Sequence, residues 1–111
     1  MRAHGLGKVC SGEVGVYTRR NPDAIRAVDV LFISQERYNR SGATPFLDVT
    51  PDLIVEILSP GNSWLDAMRK VREFLSIGVR LVWLVDLLSQ SVFAYRSITD
   101  VREFTIDETA R

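Results

Sequence analysis

Between residues 52 and 86 the chain passes from one short apolar segment to another through a stretch with helical spacing, and this passage constrains the fold most. Residues 52–59 (DLIVEILS) are introduced by Pro51 and closed by Ser59-Pro60-Gly61, the bounds of a short buried strand. From Ser63 to Ile77 the period changes. Trp64, Ala67, Met68, Val71, Phe74 and Leu75 return every three or four residues, as on one face of a helix. Asn62 or Ser63 is placed to cap its start, and Gly78 to stop it. Residues 80–86 (RLVWLVD) then read as another buried strand. Strand, helix, strand at this length implies a parallel pair joined by a right-handed crossover.

The flanks complete a sheet. Residues 11–18 alternate loosely as a strand, residues 19–23 (RRNPD) turn, and 26–34 (RAVDVLFIS) form an apolar, buried strand. The polar stretch 35–50, with Ser41-Gly42 and Pro45, reads as a loop with room for one helical turn. Residues 91–97 and 101–106 alternate about a short turn, as in a hairpin. The expectation is an α/β domain spanning residues 1–111, a mixed sheet with the crossover helix on one face.

Inside that sheet sits an energetic oddity. Asp29 interrupts Ala-Val-Asp-Val-Leu-Phe-Ile, and Glu56 interrupts Leu-Ile-Val-Glu-Ile-Leu. An ionised carboxylate buried without a partner costs several kcal/mol, so each needs a cation, a metal or hydrogen-bond donors. Either one alone reads equally well as a strand-end carboxylate that reaches solvent or pairs with an arginine. Two on neighbouring strands repel, and a hard divalent cation between them resolves the repulsion. Oxygen ligands without a Cys/His set favour Mg²⁺ or Mn²⁺ over zinc. Asp52 shares strand parity with Glu56 but sits at the strand entrance, where a turn role suffices.

On the helical wheel the apolar stripe centres near Trp64, Met68, Val71 and Leu75, with Arg69, Arg72 and Glu73 on the far side. Lys70 falls on its border, where a lysine ordinarily lays its stem on the core and its head in water. If the helix packs over the strand ends, the same position delivers an ammonium to the carboxylates.

Composition excludes other classes. No segment approaches the roughly 18–20 apolar residues of a membrane-spanning helix, and MRAHGLGKVC lacks the apolar core of a signal peptide. The single cysteine, Cys10, forms no internal disulfide and fits a reducing, cytoplasmic setting. His4, the one histidine, lies in a Gly-flanked terminus and supports no His-centred triad. Fourteen basic and fourteen acidic residues balance, so any nucleic-acid surface must be local. Arg19, Arg20 and Arg26, and then Arg69, Lys70 and Arg72, are the local basic clusters.

The blocks RAVDVLFI (26–33) and PDLIVEILSP (51–60), followed by a helix bearing Lys70, the Ile77-Gly78-Val79 turn and VWLVD (82–86), resemble one bacterial family. It is the Uma-two-like restriction endonuclease family, within the PD-(D/E)xK nuclease superfamily. The resemblance covers roughly residues 12–106. It implies a restriction-endonuclease-like mixed sheet and Mg²⁺-dependent phosphodiester hydrolysis. Asp29 would match the metal-binding aspartate and Glu56 the second acidic ligand. The superfamily's lysine stands two residues after that acid, where this chain has Leu58, and Lys70 matches a lysine moved to the following helix. Val28 replaces a proline common before the aspartate. Family members are commonly longer, so the chain resembles a truncated member whose uncovered apolar surface would favour a homodimer.

The functional expectation is therefore a Mg²⁺- or Mn²⁺-dependent DNA endonuclease. Asp29 and Glu56 hold the metal, Lys70 assists catalysis, and Arg19, Arg20 and Arg26 contact nucleic-acid phosphates. The alternative is a catalytically inactive nuclease-like binding or interaction module.

Overall fold

The structure, a computed structural model, describes residues 6–20, 22–42 and 47–105. Along the chain come β1 (Gly7–Arg19), β2 (Ala24–Ser34), α1 (Gln35–Asn39), β3 (Leu53–Leu58), α2 (Trp64–Ser76), β4 (Leu81–Asp86), β5 (Ser91–Ser97) and β6 (Asp100–Thr105). His4, Asn21, Pro45 and Ile106, used above to read a terminus, a turn, a loop and a strand end, lie outside the described residues.

The strands form one sheet in chain order. β3 and β4 run parallel, from Leu53 opposite Leu81 to Leu58 opposite Asp86, and α2 bridges them. The other neighbours are antiparallel. This is the mixed sheet with one crossover helix that residues 52–86 imply. The polar stretch after β2 holds the expected helical turn, α1, where the Ser34 hydroxyl accepts the Arg37 N–H at 3.3 Å. β1 starts earlier than its alternation suggests, at Gly7 rather than residue 11.

Caps fix the ends of α2. The Ser63 hydroxyl accepts the Asp66 N–H at 3.0 Å. Asn62 tightens the preceding turn instead, accepting the Ser59 N–H at 2.8 Å and its hydroxyl at 2.9 Å. At the far end the N–H of Gly78 donates to Leu75 C=O and that of Val79 to Phe74 C=O, both at 3.1 Å. Gly78 has φ +100°, a conformation a side chain would strain.

α2 buries Ala67, Val71 and Phe74 in the cluster that holds Ile54, Val82, Leu84 and Tyr95. Burial of side chains such as Val71 and Phe74 contributes about 1.5–3 kcal/mol each, which keeps the helix on the sheet. The stripe differs from the expected one. It is centred on Ala67 and Val71, rolled by roughly 60° at about 100° per residue. Ala67 lets the helix backbone approach the sheet, where an indole would hold it off. Trp64 therefore remains 48% exposed, its ring edge-on to Phe93 with centroids 5.3 Å apart. The roll also turns Lys70 inward and brings Glu73, expected on the solvent side, against the sheet. Among the described residues no helix is long and apolar enough to cross a membrane.

Candidate metal and nucleic-acid site

β2 and β3 pair over three positions, Phe32 with Leu53, Leu31 with Ile54 and Val30 with Val55. One further step in this register would set Asp29 opposite Glu56. There the ladder changes character, and side chains take over from the backbone. The Asp29 N–H donates to Glu56 Oε2 at 3.1 Å, and the Ile57 N–H donates to Asp29 Oδ2 at 2.9 Å. Each carboxylate thus satisfies a main-chain donor of the other strand where the strands part.

The opposite edge of β2 is irregular at the same point. Pairing with β1 moves from Ser11–Val30 to Val14–Val28, which inserts an extra β1 residue opposite Asp29. Gly12 occupies this bulge at φ +83°, in the left-handed region that glycine adopts without penalty. Burial along β2 also changes phase here, from Val28 to Leu31 and Ile33. Asp29 stands at the break, where a pleat would otherwise commit its carboxylate to one face.

Glu56 is the buried member, its side chain 8% exposed. The Lys70 Nζ reaches its Oε1 at 3.1 Å, while the lysine itself is 37% exposed. Lys70 therefore does what the border position permitted, with its stem on the core and its ammonium on the carboxylate. Leu58, two residues beyond Glu56 on the same strand parity, lines the same cleft. The cation comes from the helix. Sequence reasoning brought these three residues together, and the structure brings together Asp29, Glu56 and Lys70.

The cleft around them has a volume of about 950 Å³ and is bounded by β2, the end of β3 and the first half of α2. Arg26 also lines it, its Nε donating to Glu73 Oε1 at 2.6 Å. Arg19 and Arg20 do not join this group. They lie at the β1–β2 turn, where Arg19 Nε donates to Pro22 C=O at 3.2 Å and Arg20 pairs with Asp23 at 2.9 Å. The Arg20 guanidinium also lies 4.0 Å from the Tyr17 ring centre.

Glu73 is the residue that sequence reasoning missed. Burial pushes its carboxyl up, but hydrogen bonds from Thr18 and Arg26 and the charges of Arg26 and Arg19 outweigh this and hold it below the ordinary carboxylate value. Its signal lay in the helix phase. A stripe running through Ala67 and Phe74 turns Glu73 toward Arg26 of β2, whereas one centred on the larger Trp64 points it away.

Two hard carboxylates opening on a water-accessible cleft suit Mg²⁺ or Mn²⁺, which are ordinarily held by one or two carboxylates and completed by water and phosphate oxygens. Among the described residues no third Asp, Glu, His or Cys joins them in a cluster, so a zinc-type ligand set is not formed.

A mixed sheet whose crossover helix brings a lysine to a pair of strand carboxylates is the arrangement that the family resemblance implies. Residues 1–108 match the family Uma2, described as a putative restriction endonuclease, and the chain belongs to that family. Its fold is similar to the crystal structure of a putative nuclease belonging to DUF820 from Anabaena variabilis, with TM-score 0.74 and 23% sequence identity. That likeness covers 92% of this chain, which spans 56% of the length of the Anabaena protein. No curated protein matches the chain.

Proposed function

We propose that the cleft hydrolyses DNA phosphodiester bonds with the help of a divalent metal. The observation that carries this reading is the meeting of Asp29, Glu56 and Lys70, from three separate elements, at the end of the β2–β3 ladder. Asp29 and Glu56 are the residues that would hold Mg²⁺ or Mn²⁺. When bound, the ion supplies Lewis acidity and a water of lowered pKa.

The chain's own residues account for the rest. Water adds to phosphorus in line as one P–O ester bond breaks, and a water proton ends on the departing oxygen. Lys70, held by Glu56 at 3.1 Å, is the cation that meets the charge developing on the phosphate oxygens. Placing it on α2 lets it approach from outside the sheet, a route closed to the Leu58 position within the strand. Arg26 in the cleft, with Arg19 and Arg20 at the β1–β2 turn, supplies phosphate contacts that give affinity without sequence information.

The test is cleavage of plasmid DNA in Mg²⁺ by the chain and by Glu56→Ala. The variant should lose cleavage entirely, and undiminished cutting would reject the assignment. A second reading, a non-catalytic nuclease-like binding module, is favoured by one observation. Both Glu56 oxygens and Asp29 Oδ2 are already hydrogen-bonded within the protein. That reading predicts nucleic-acid binding without cleavage and no heat of Mg²⁺ binding at millimolar concentrations.

A further inference from the structure

The cleft carries cations on two sides, Arg69 and Lys70 from α2 and Arg26 from β2. Arg69 is well exposed and tied to Asp66 one turn back, at 3.1 Å. Lys70 belongs to Glu56. Arg26, like Lys70, is held from another element, but its partner, 47 residues away in the chain, is not one of the two strand carboxylates. Glu73 of α2 grips its Nε at 2.6 Å. The Glu73 side chain is itself only 28% exposed, which limits how far the acceptor can swing.

A guanidinium is a planar group with five N–H donors in a rigid fork. A carboxylate on Nε engages one of them and leaves the Nη pair outside that contact, in the arrangement that meets two phosphate oxygens at once. An arginine so held has already given up the rotamer freedom that binding would otherwise remove. Arg26 also lies three residues from Asp29, about 10 Å along an extended strand. Its guanidinium is held toward Glu73 on α2, not on the Asp29–Glu56 pair.

We infer that Arg26 binds a second backbone phosphate of a nucleic-acid strand lying in the cleft, and that Glu73 is the positioning residue that aims its guanidinium. The inference rests on the nucleic-acid reading of the cleft proposed above. The competing account is a plain staple that fastens β2 to α2.

Binding of a labelled DNA duplex to the full chain without divalent metal, followed from about 50 to about 200 mM salt, separates the two. Arg26→Ala should weaken binding about tenfold, and the slope of log K against log salt should fall by about one. Arg26→Lys should keep the slope but not the affinity, since it restores the charge without the fork. Glu73→Ala should weaken binding several-fold, and Glu73→Gln, which still accepts from Nε, should stay near wild type. The double variant Arg26→Ala/Glu73→Ala should bind like Arg26→Ala alone. The Lys and Gln variants carry the test should either alanine variant fail to fold.

A melting temperature that falls in Arg26→Ala while affinity and slope stay unchanged would overturn the inference in favour of the staple. Tighter binding by Glu73→Ala would overturn it too, making Glu73 a competitor for Arg26. A wild-type chain that binds no duplex removes this inference and the proposed function together. Glu56-dependent cleavage with an unchanged Arg26→Ala slope removes this inference alone. A lost slope in Arg26→Ala with cleavage persisting in Glu56→Ala removes the catalytic reading alone.

Discussion

Replacing Lys70 with methionine isolates the ion pair at the centre of the site, because methionine keeps most of the apolar stem and removes only the ammonium. The geometry bounds the cost. Breaking a fully buried pair from one side costs about 3–5 kcal/mol, and losing an exposed one about 0–1 kcal/mol. Here the carboxylate is 8% exposed and the lysine 37%, so water can partly replace the ammonium. Glu56 also keeps its hydrogen bond from the Asp29 N–H. The cost should therefore lie near 1–2 kcal/mol, about 5–15 °C in melting temperature for a domain of roughly this size. Circular-dichroism melts in metal-free buffer measure it. Repeating them with Mg²⁺ adds a second readout, because a ligand at ten times its Kd stabilises by about 1.4 kcal/mol. With the ammonium gone from Glu56 Oε1, the Mg²⁺-induced rise should be larger in Lys70→Met than in wild type. An unchanged metal-free melting temperature would refute the reasoning, since Glu56 would then rest in the sheet without help from Lys70.

Other expectations follow from the same geometry. Glu73 is held below the ordinary carboxylate value of 4.5, so the stability it contributes is present above that pH and lost as pH falls through its lower folded value. The melting-temperature gap between wild type and Glu73→Gln should accordingly be widest near neutrality and close as pH falls below about 4.5. Phe74 is fully buried on the sheet-facing side of α2, and Phe74→Ala should cost about 3–5 kcal/mol in urea unfolding. At Gly12 a Cβ would meet nothing within 4 Å, so Gly12→Ala should pay only for its φ of +83°, about 1–2 kcal/mol, with Gly12→Asn milder.

The fold was legible where local pattern and global packing agree. The run DLIVEILS, the helical period after Ser63 and the Gly78 stop specify a parallel pair with a crossover, and the pair formed. Asp29 and Glu56 were legible for the same reason, since a charge in an apolar strand demands a partner. What the partners would be was not. The exchange of side-chain and backbone hydrogen bonds depends on where the β2–β3 ladder ends, which no strand-length pattern encodes. The bulge at Gly12 was hidden because β1 carries three glycines, and a glycine in an alternating strand signals many things. Glu73 was misplaced because weighting the stripe by the largest side chain turned the wheel toward Trp64. Close approach to the sheet favoured the smallest residue, Ala67.

The proposed activity requires Asp29 and Glu56 together to hold a divalent ion. Diffraction from crystals soaked in Mn²⁺, read at the manganese absorption edge, tests it most directly. An anomalous peak bonded to oxygens of both carboxylates at about 2.0–2.2 Å is expected, and it should be lost in Asp29→Asn. A soaked crystal with no peak at these residues, or with one that persists unchanged in Asp29→Asn, would contradict it.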